Sequence, residues 1–323
     1  VKAARVEVER AASAVGGHKF GLHFLLTEWE QVVDAWQLET WESYRDVARL
    51  GRKTRLPEAQ RAVLWSIFEQ VRSGLKKRKV ITDAGLFTTL ASALTKNKRQ
   101  PFDFAVVDEA QDISPMQWRM ISRRNPGGSM TIVGDLGQAS RIGAIGSWQA
   151  ALAQLPARRE PRLFELTVNY RTPAELMEVA AAVLRAADPG LEPPRSVRHS
   201  GSPPRFTAVS DEVSLVAEVT RQVVELSTRI DDGKIVVIAP PSLLVTVHDA
   251  LTDHGSLDVA PLGGRDPLAS SVAVFSPTDA KGLEFDAVVL VEPQLLAGDS
   301  AAGLRGLYVA LTRATRYLAV VHH

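Results

Sequence analysis

Beyond Pro101 the sequence is a series of short apolar runs, each closing on polar or glycine residues. They occupy 104–107, 130–133, 164–168, 235–238, 272–275, 287–291 and 318–321. Strands that are apolar throughout, rather than alternating, suit a sheet covered on both faces. Stretches with helical spacing, such as 173–187 and 212–228, lie between several of them. Strand and helix in alternation predict an α/β fold with parallel sheets. Ligands of such sheets gather beyond the carboxyl ends of the strands. The polar residues that end each run are therefore the candidates for function.

The first hundred residues read differently. Trp29, Val32, Val33 and Trp36, then Val63, Leu64, Ile67, Phe68 and Val71, follow helical spacing. Residues 45–104 carry fourteen Lys and Arg against five Asp and Glu, densest at Lys76-Lys77-Arg78-Lys79 and at Lys96, Lys98 and Arg99. That excess is either a solvated helix face or a surface for a phosphate backbone or an acidic partner. The whole chain has a formal charge of only +1, so any nucleic-acid binding must come from such local patches. At about 150 residues per domain, 323 residues predict two domains. The expected division is a helical, basic region over 1–100, the rest of a first sheet domain over 101–162, and a second sheet domain over 163–323. Proline-rich 188–205 and glycine-containing 252–271 read as surface connections. No apolar run reaches the roughly 18 residues of a membrane span. The absence of Cys excludes disulfides, thiolate zinc sites and Cys nucleophiles, and suits a reducing, cytoplasmic setting. The seven His residues show no metal-ligand spacing. The chain starts at Val1 with no secretory pattern, and is expected to be a piece of a longer protein.

The strongest chemical signal is the run 104–107 leading straight into Asp108-Glu109-Ala110-Gln111-Asp112. Acids at the end of a buried strand are costly unless they have a use. Asp108 can hold Mg²⁺ through water while Glu109 orients and deprotonates an attacking water. The structural alternative is helix capping, with Asp112 and Ser114 placed before a helix that starts near Pro115. The second run, 130–133, leads into Gly134-Asp135-Leu136-Gly137-Gln138. Its glycines let the backbone pass close to a ligand, and Gln138 can read a terminal phosphate. The third run ends in Asn169-Tyr170-Arg171-Thr172-Pro173, where Thr172 is the expected N-cap and Arg171 can reach phosphate oxygens. Later come Lys281-Gly282-Leu283-Glu284-Phe285 and 307–314, which contains Arg313. Taken singly, each of these arginines reads as a surface salt-bridge partner.

The order DEAQD, GDLGQ, NYRT, AKGLEFD and LYVALTRA resembles the superfamily 1 helicases of the UvrD/Rep/PcrA type, over about residues 102–321. The resemblance implies two RecA-like parallel-sheet domains of the P-loop NTPase type, the first incomplete, with an N-terminal helical insertion region. It implies an ATP-dependent helicase or translocase that uses ATP and Mg²⁺ in a cleft between those domains. Asp108 resembles the Walker B metal ligand and Glu109 the catalytic base. Gln138 resembles the γ-phosphate glutamine, and Arg171 and Arg313 the two arginines that neutralise charge on the transferring phosphoryl group. Glu284 resembles a glutamate near the nucleotide ribose, with Lys281 and Gly282 in the same loop. Thr278 falls where relatives carry a His that touches single-stranded DNA.

Three departures qualify the resemblance. No G-x-x-x-x-G-K-[ST] phosphate loop occurs, and Gly16-Gly17-His18-Lys19 lacks its spacing. The expectations are a parent protein that carries the P-loop segment upstream, a degenerate homologue, or a split enzyme. The chain alone is expected to be inactive. Second, where relatives continue from GDLGQ with a Tyr and a Trp that stack on bases, this chain has Ala139-Ser140-Arg141, and Trp148 is displaced and expected in a core. Third, only about a hundred residues separate Arg171 from Lys281, so the accessory domain is absent or reduced. These departures, with LTVNYRTP (166–173) and LEPPRSVR (191–198), resemble the HelD-like branch, which acts on RNA polymerase. Residues 28–48 resemble the first-domain insertion of compact UvrD-like proteins. The partners implied are single-stranded DNA or RNA polymerase. A non-catalytic interaction module on a helicase scaffold is the remaining alternative.

Overall fold

The computed structural model describes residues 2–47, 56–96, 102–125, 127, 129–139, 147–153, 155, 160–264 and 266–323. Lys98 and Arg99 of the basic stretch, and residues 140–146 of the departure after GDLGQ, lie outside the described residues. Contacts divide the chain into two units. One holds Val1–Leu136 and Arg141–Arg162, the other Gly137–Ser140 and Leu163–His323.

The first unit begins with helices α1 (Lys2–Ala14), α2 (Leu22–Glu28), a π-helical turn (Trp29–Asp34), α3 (Trp41–Asp46), α4 (Glu58–Lys77) and α5 (Asp83–Lys96). The residues with helical spacing supply its core: Trp29, Val33, Leu64, Ile67, Phe68 and Val71 are buried together, whereas Val63 turns outward. Lys76 and Lys77 occupy the last turn of α4, where cations favour the negative end of the helix. Arg78 has a structural role: it lies 2.7 Å from the buried carboxylate of Glu7, which Arg10 also contacts at 2.6 Å.

After these helices come β1 (Ala105–Val107), a 3₁₀ turn (Ala110–Asp112), α6 (Pro115–Arg124), β2 (Met130–Ile132), a second 3₁₀ turn (Leu136–Gln138) and α7 (Trp148–Leu152). Strands β1 and β2 pair in parallel, with Ala105 opposite Met130 and Val107 opposite Ile132. Ser114 caps α6 in a reciprocal box with Gln117, so the capping expectation holds for Ser114, while Asp112 stays in the 3₁₀ turn. Val107, Ala110, Trp118 and Ala151 form a small core, and Trp148 packs partly buried against it, as expected.

The second unit is built on five parallel strands: β5 (Arg205–Ala208), β6 (Ile235–Ile238), β7 (Val272–Phe275), β8 (Phe285–Val291) and β9 (Ala314–His322), ordered β5-β9-β8-β6-β7. Alternate residues feed two cores. Val236, Ile238, Val288, Leu290, Leu318 and Val320 meet α8 (Ala174–Ala187) and α12 (Ala301–Leu311). Ile235, Val237, Val289, Val291 and Val321 meet α9 (Glu212–Arg229) and α10 (Leu244–Asp253). This is the doubly covered parallel sheet that uniformly apolar strands require. A short α11 (Pro293–Ala297) follows β8.

Two local expectations are corrected. The run 164–168 is a strand only at β3 (Val168–Asn169), which pairs with β4 (Arg195–Ser196); Phe164 and Leu166 are 81% and 87% exposed. Its composition suits a buried strand, but nothing among the described residues covers it. Thr172 does not cap α8: Pro173 holds the N-cap position, and Thr172 is buried with its hydroxyl unpartnered.

Candidate functional site

The predicted polar residues form two groups, one in each unit. In the first, β1 ends at Val107 and the next two residues are exposed. Asp108 accepts the Glu109 amide through Oδ1 at 2.8 Å, which leaves Oδ2 without a partner among the described residues. Glu109 takes left-handed backbone angles, φ 50° and ψ 39°, rare for a residue with a side chain. That turn throws the chain from the strand into the 3₁₀ turn, and the Ala110 amide then donates to Val133 O at 3.0 Å. Strain at a carboxylate that ends a parallel strand is an indicator of function. Among the described residues no three His, Cys, Asp or Glu side chains form a metal cage. Mg²⁺ held against a nucleotide needs only one or two carboxylates, with water and phosphate completing its shell, and the open oxygen of Asp108 fits that donor set.

Gly134 needs correction. No approach to a ligand explains it: a Cβ there would lie 2.5 Å from Gln111 Oε1 and 2.8 Å from the Trp148 ring. Its missing side chain makes room for two of the protein's own side chains. Gln111 is a residue that the motif reading passed over. It is 1% exposed, donates to the Glu109 carboxylate and accepts the Asp135 amide at 3.0 Å. A buried glutamine two positions past a strand-end acid was the available signal.

In the second unit the loop 281–284, between β7 and β8, gathers the other residues. Lys281 Nζ donates to Gln138 O at 2.7 Å. Leu283 O accepts from Arg313 Nη1 at 3.1 Å, and Arg313 Nη2 reaches Gln138 Oε1 at 3.3 Å. Glu284 Oε1 lies 2.6 Å from Arg171 Nη1. Gly282 turns the loop at φ +76°, which L side chains rarely adopt. Arg313 follows α12 and is 2% exposed; its Nε donates to Val309 O at 2.9 Å. The surface salt-bridge reading is therefore wrong for Arg313, whose charge is buried among carbonyl and amide oxygens. It describes Arg171 well, since that pair is about two-fifths exposed on both sides. Arg171 Nε remains unpartnered, and Asn169 Oδ1 fixes the backbone around it by accepting the amides of Arg171 and Thr172. Thr278 is exposed in the turn after β7, and its carbonyl accepts the Lys281 amide at 3.4 Å.

Residues 38–153 match the UvrD/REP helicase N-terminal domain, and residues 271–321 match the UvrD-like helicase C-terminal domain. The chain belongs with the UvrD/Rep-like superfamily 1 helicases. Within this helicase, Asp108, Glu109 and Gln138 lie in the first matched span, and Gly282, Glu284 and Arg313 in the second. Among solved structures it resembles the C-terminal domain of a possible DNA helicase from Lactobacillus plantarum WCFS1, at 21% identity and TM-score 0.39, over 48% of this chain and 87% of that one. It also resembles the PRRSV helicase, at 15% identity and TM-score 0.37, over 71% of this chain and 36% of that one. No curated protein matches. Among the described residues of this UvrD/Rep-like chain, no helix is long and apolar enough to cross a membrane.

Proposed function

We propose that the chain is the C-terminal portion of an ATP-dependent helicase or translocase that moves on single-stranded DNA. Mg²⁺–ATP supplies the phosphoryl group and most of the charge to be managed. Asp108 binds the metal, and Glu109 takes a proton from the attacking water. Gln138 donates to the terminal phosphate, while Arg171 and Arg313 offset the charge that develops on it. Thr278 and Lys281 belong to the loops that end β7, and Thr278 is assigned to the nucleic acid. The observation that carries this reading is the convergence of Gln138, Arg313, Lys281 and Glu284 on one loop, from segments as far apart in sequence as 138 and 313.

The phosphate cradle comes from a P-loop segment of the same parent protein. Phe104, just before β1, and Val106, within it, are 55% and 68% exposed. A two-stranded parallel sheet with a bare apolar face is unfinished by itself, which supports a further strand and helix packing there. On this reading the chain alone turns over ATP far more slowly than about 1 s⁻¹, the low end of working enzymes. The test compares the chain with the full-length product of its gene, with and without single-stranded DNA. The full-length protein is expected to hydrolyse ATP faster with DNA, and less so as salt rises. A rate unchanged by DNA sinks the translocase.

One observation favours a second reading, a HelD-like ATPase that binds and recycles RNA polymerase. Trp148 is partly buried against the core of Val107, Ala110, Trp118 and Ala151, so its ring serves the packing of the protein rather than standing free for a base. Co-purification with RNA polymerase core and little unwinding would favour this branch; retention of no polymerase would count against it.

A further inference from the structure

We propose that Gln111 is a positioning residue for Glu109, and that Gly134 exists to admit it. The inference rests on the reading of Glu109 as the base. The backbone of Glu109 is pinned by its left-handed turn and by the Ala110 bond to Val133 O. Its side chain is exposed, and an exposed carboxylate swings among rotamers unless something holds it. Among the described residues, the partner of that carboxylate is the Gln111 amide. Gln111 is itself immobile: it is 1% exposed, and its Oε1 is fixed by the Asp135 amide, 24 residues further along the chain.

The residue type follows from the two bonds. A carboxamide offers a donor to the carboxylate and an acceptor to the backbone amide at once. Glutamate at 111 would set carboxylate against carboxylate, and an apolar residue would leave the buried amide without its acceptor. The space is equally specific. A methyl group at 134 would meet Gln111 Oε1 at 2.5 Å and the Ala110 amide nitrogen at 3.1 Å, so any other residue there pushes the carboxamide off its bonds. The end of β2 thus sets the direction in which Glu109 points, through one side chain.

The test uses the full-length gene product with single-stranded DNA, and compares wild type, Gln111→Leu, Gly134→Ala, Glu109→Gln and the Glu109→Gln/Gln111→Leu double variant. Gln111→Leu is expected to lower kcat for ATP by about 10- to 100-fold, the scale of a misplaced catalytic group, with KM within about twofold of wild type. Gly134→Ala, which keeps the glutamine, should give the same pattern. In the Glu109→Gln background, Gln111→Leu should add nothing to the single-turnover defect, because a residue that acts through Glu109 has nothing left to position. A residue needed only for folding would instead lower the rate again in that background, or lower the melting temperature and the active fraction together. Either result, or an unchanged kcat, overturns the proposal. A wild-type protein without ATPase activity overturns the reading of Glu109, and the positioning role falls with it.

Discussion

The two sheets begin from similar sequence and end differently. In the second unit β6, β7 and β8 are buried on both faces, and helices on each side close two cores. In the first unit β1 has much the same composition, yet Phe104 and Val106 face solvent and the local core is small. The groups they carry differ in the same way. Arg313 is buried and fixed by several acceptors, whereas Asp108 and Glu109 are exposed, and one glutamine is the carboxylate partner of Glu109. A polar group is only as rigid as the sheet behind it, so Arg313 is held within the second unit while the acidic pair of the first unit depends on a tie.

The largest effect tests that rigidity. Arg313→Ala in the full-length protein should cost about 10³-fold or more in ATP turnover, as expected for an arginine that offsets phosphoryl charge. It also leaves Leu283 O and Val309 O without that donor, at about 1–3 kcal/mol of stability in urea unfolding. Loss of stability with turnover intact would make Arg313 a purely structural cation.

The next pair addresses the sheets themselves. Leu290→Ala in β8 should cost about 2–5 kcal/mol, because a fully buried side chain leaves a cavity. Val106→Thr in β1 should change the stability of this chain by no more than about 0.5 kcal/mol, because the side chain is already in water. In the full-length product the same Val106→Thr should cost about 1–3 kcal/mol if a further segment covers that face and buries the hydroxyl. Equal, small effects in both proteins would show that β1 stays bare.

The same contrast explains what was legible in the sequence. The runs at 235–238 and 272–275 were readable because their apolar residues have helices to cover them, and the covering helices carry their own periodicity. The run at 164–168 looks alike in composition, but a window of five residues does not show whether a neighbour exists. Order and spacing singled out the strand-end acids, the arginines and Gln138 as candidates. The burial of Arg313 was not legible, because its partners are backbone carbonyls, and carbonyls are common to every residue. Gln111 and Gly134 were missed for a related reason: each makes sense only once Asp135 and Trp148 have been folded beside it.

Acid should weaken particular points of the second unit. Backbone amides, its own and those of Ser200 and Gly201, hold the Glu175 carboxyl down to about 2, below its ordinary value of 4.5. A lowered folded value means that the stabilisation is complete above about pH 4.5 and is lost as pH falls towards 2. The gap in urea midpoint between wild type and Glu175→Gln should therefore be widest at pH 7 and close towards pH 2. In the first unit Asp34 has the opposite sign, since burial raises its carboxyl above 3.8. Its charged form opposes folding as pH rises, so Asp34→Asn should be tolerated better at pH 7 than Glu175→Gln. A gap for Glu175→Gln that persists unchanged to pH 2 would mean that the carboxylate charge contributes nothing there.

The smallest effect separates the two arginines. Arg171 and Glu284 lie 2.6 Å apart, but with 38% and 46% of their side chains exposed the attraction is screened by water. Glu284→Gln should therefore shift unfolding by well under about 1 kcal/mol, and the shift should shrink further between low salt and about 1 M salt, where charges a few ångströms apart are screened. Arg313 donates to oxygens of Val309, Leu283 and Gln138 and is 2% exposed, so salt reaches its bonds less and the cost of Arg313→Ala should respond to salt less than that of Glu284→Gln. If Glu284→Gln proved as costly and as salt-resistant as Arg313→Ala, Arg171 would be a fixed part of the fold. If it is cheap and salt-sensitive, Arg171 is free to leave Glu284 for a phosphate, which is what a charge-neutralising arginine must do.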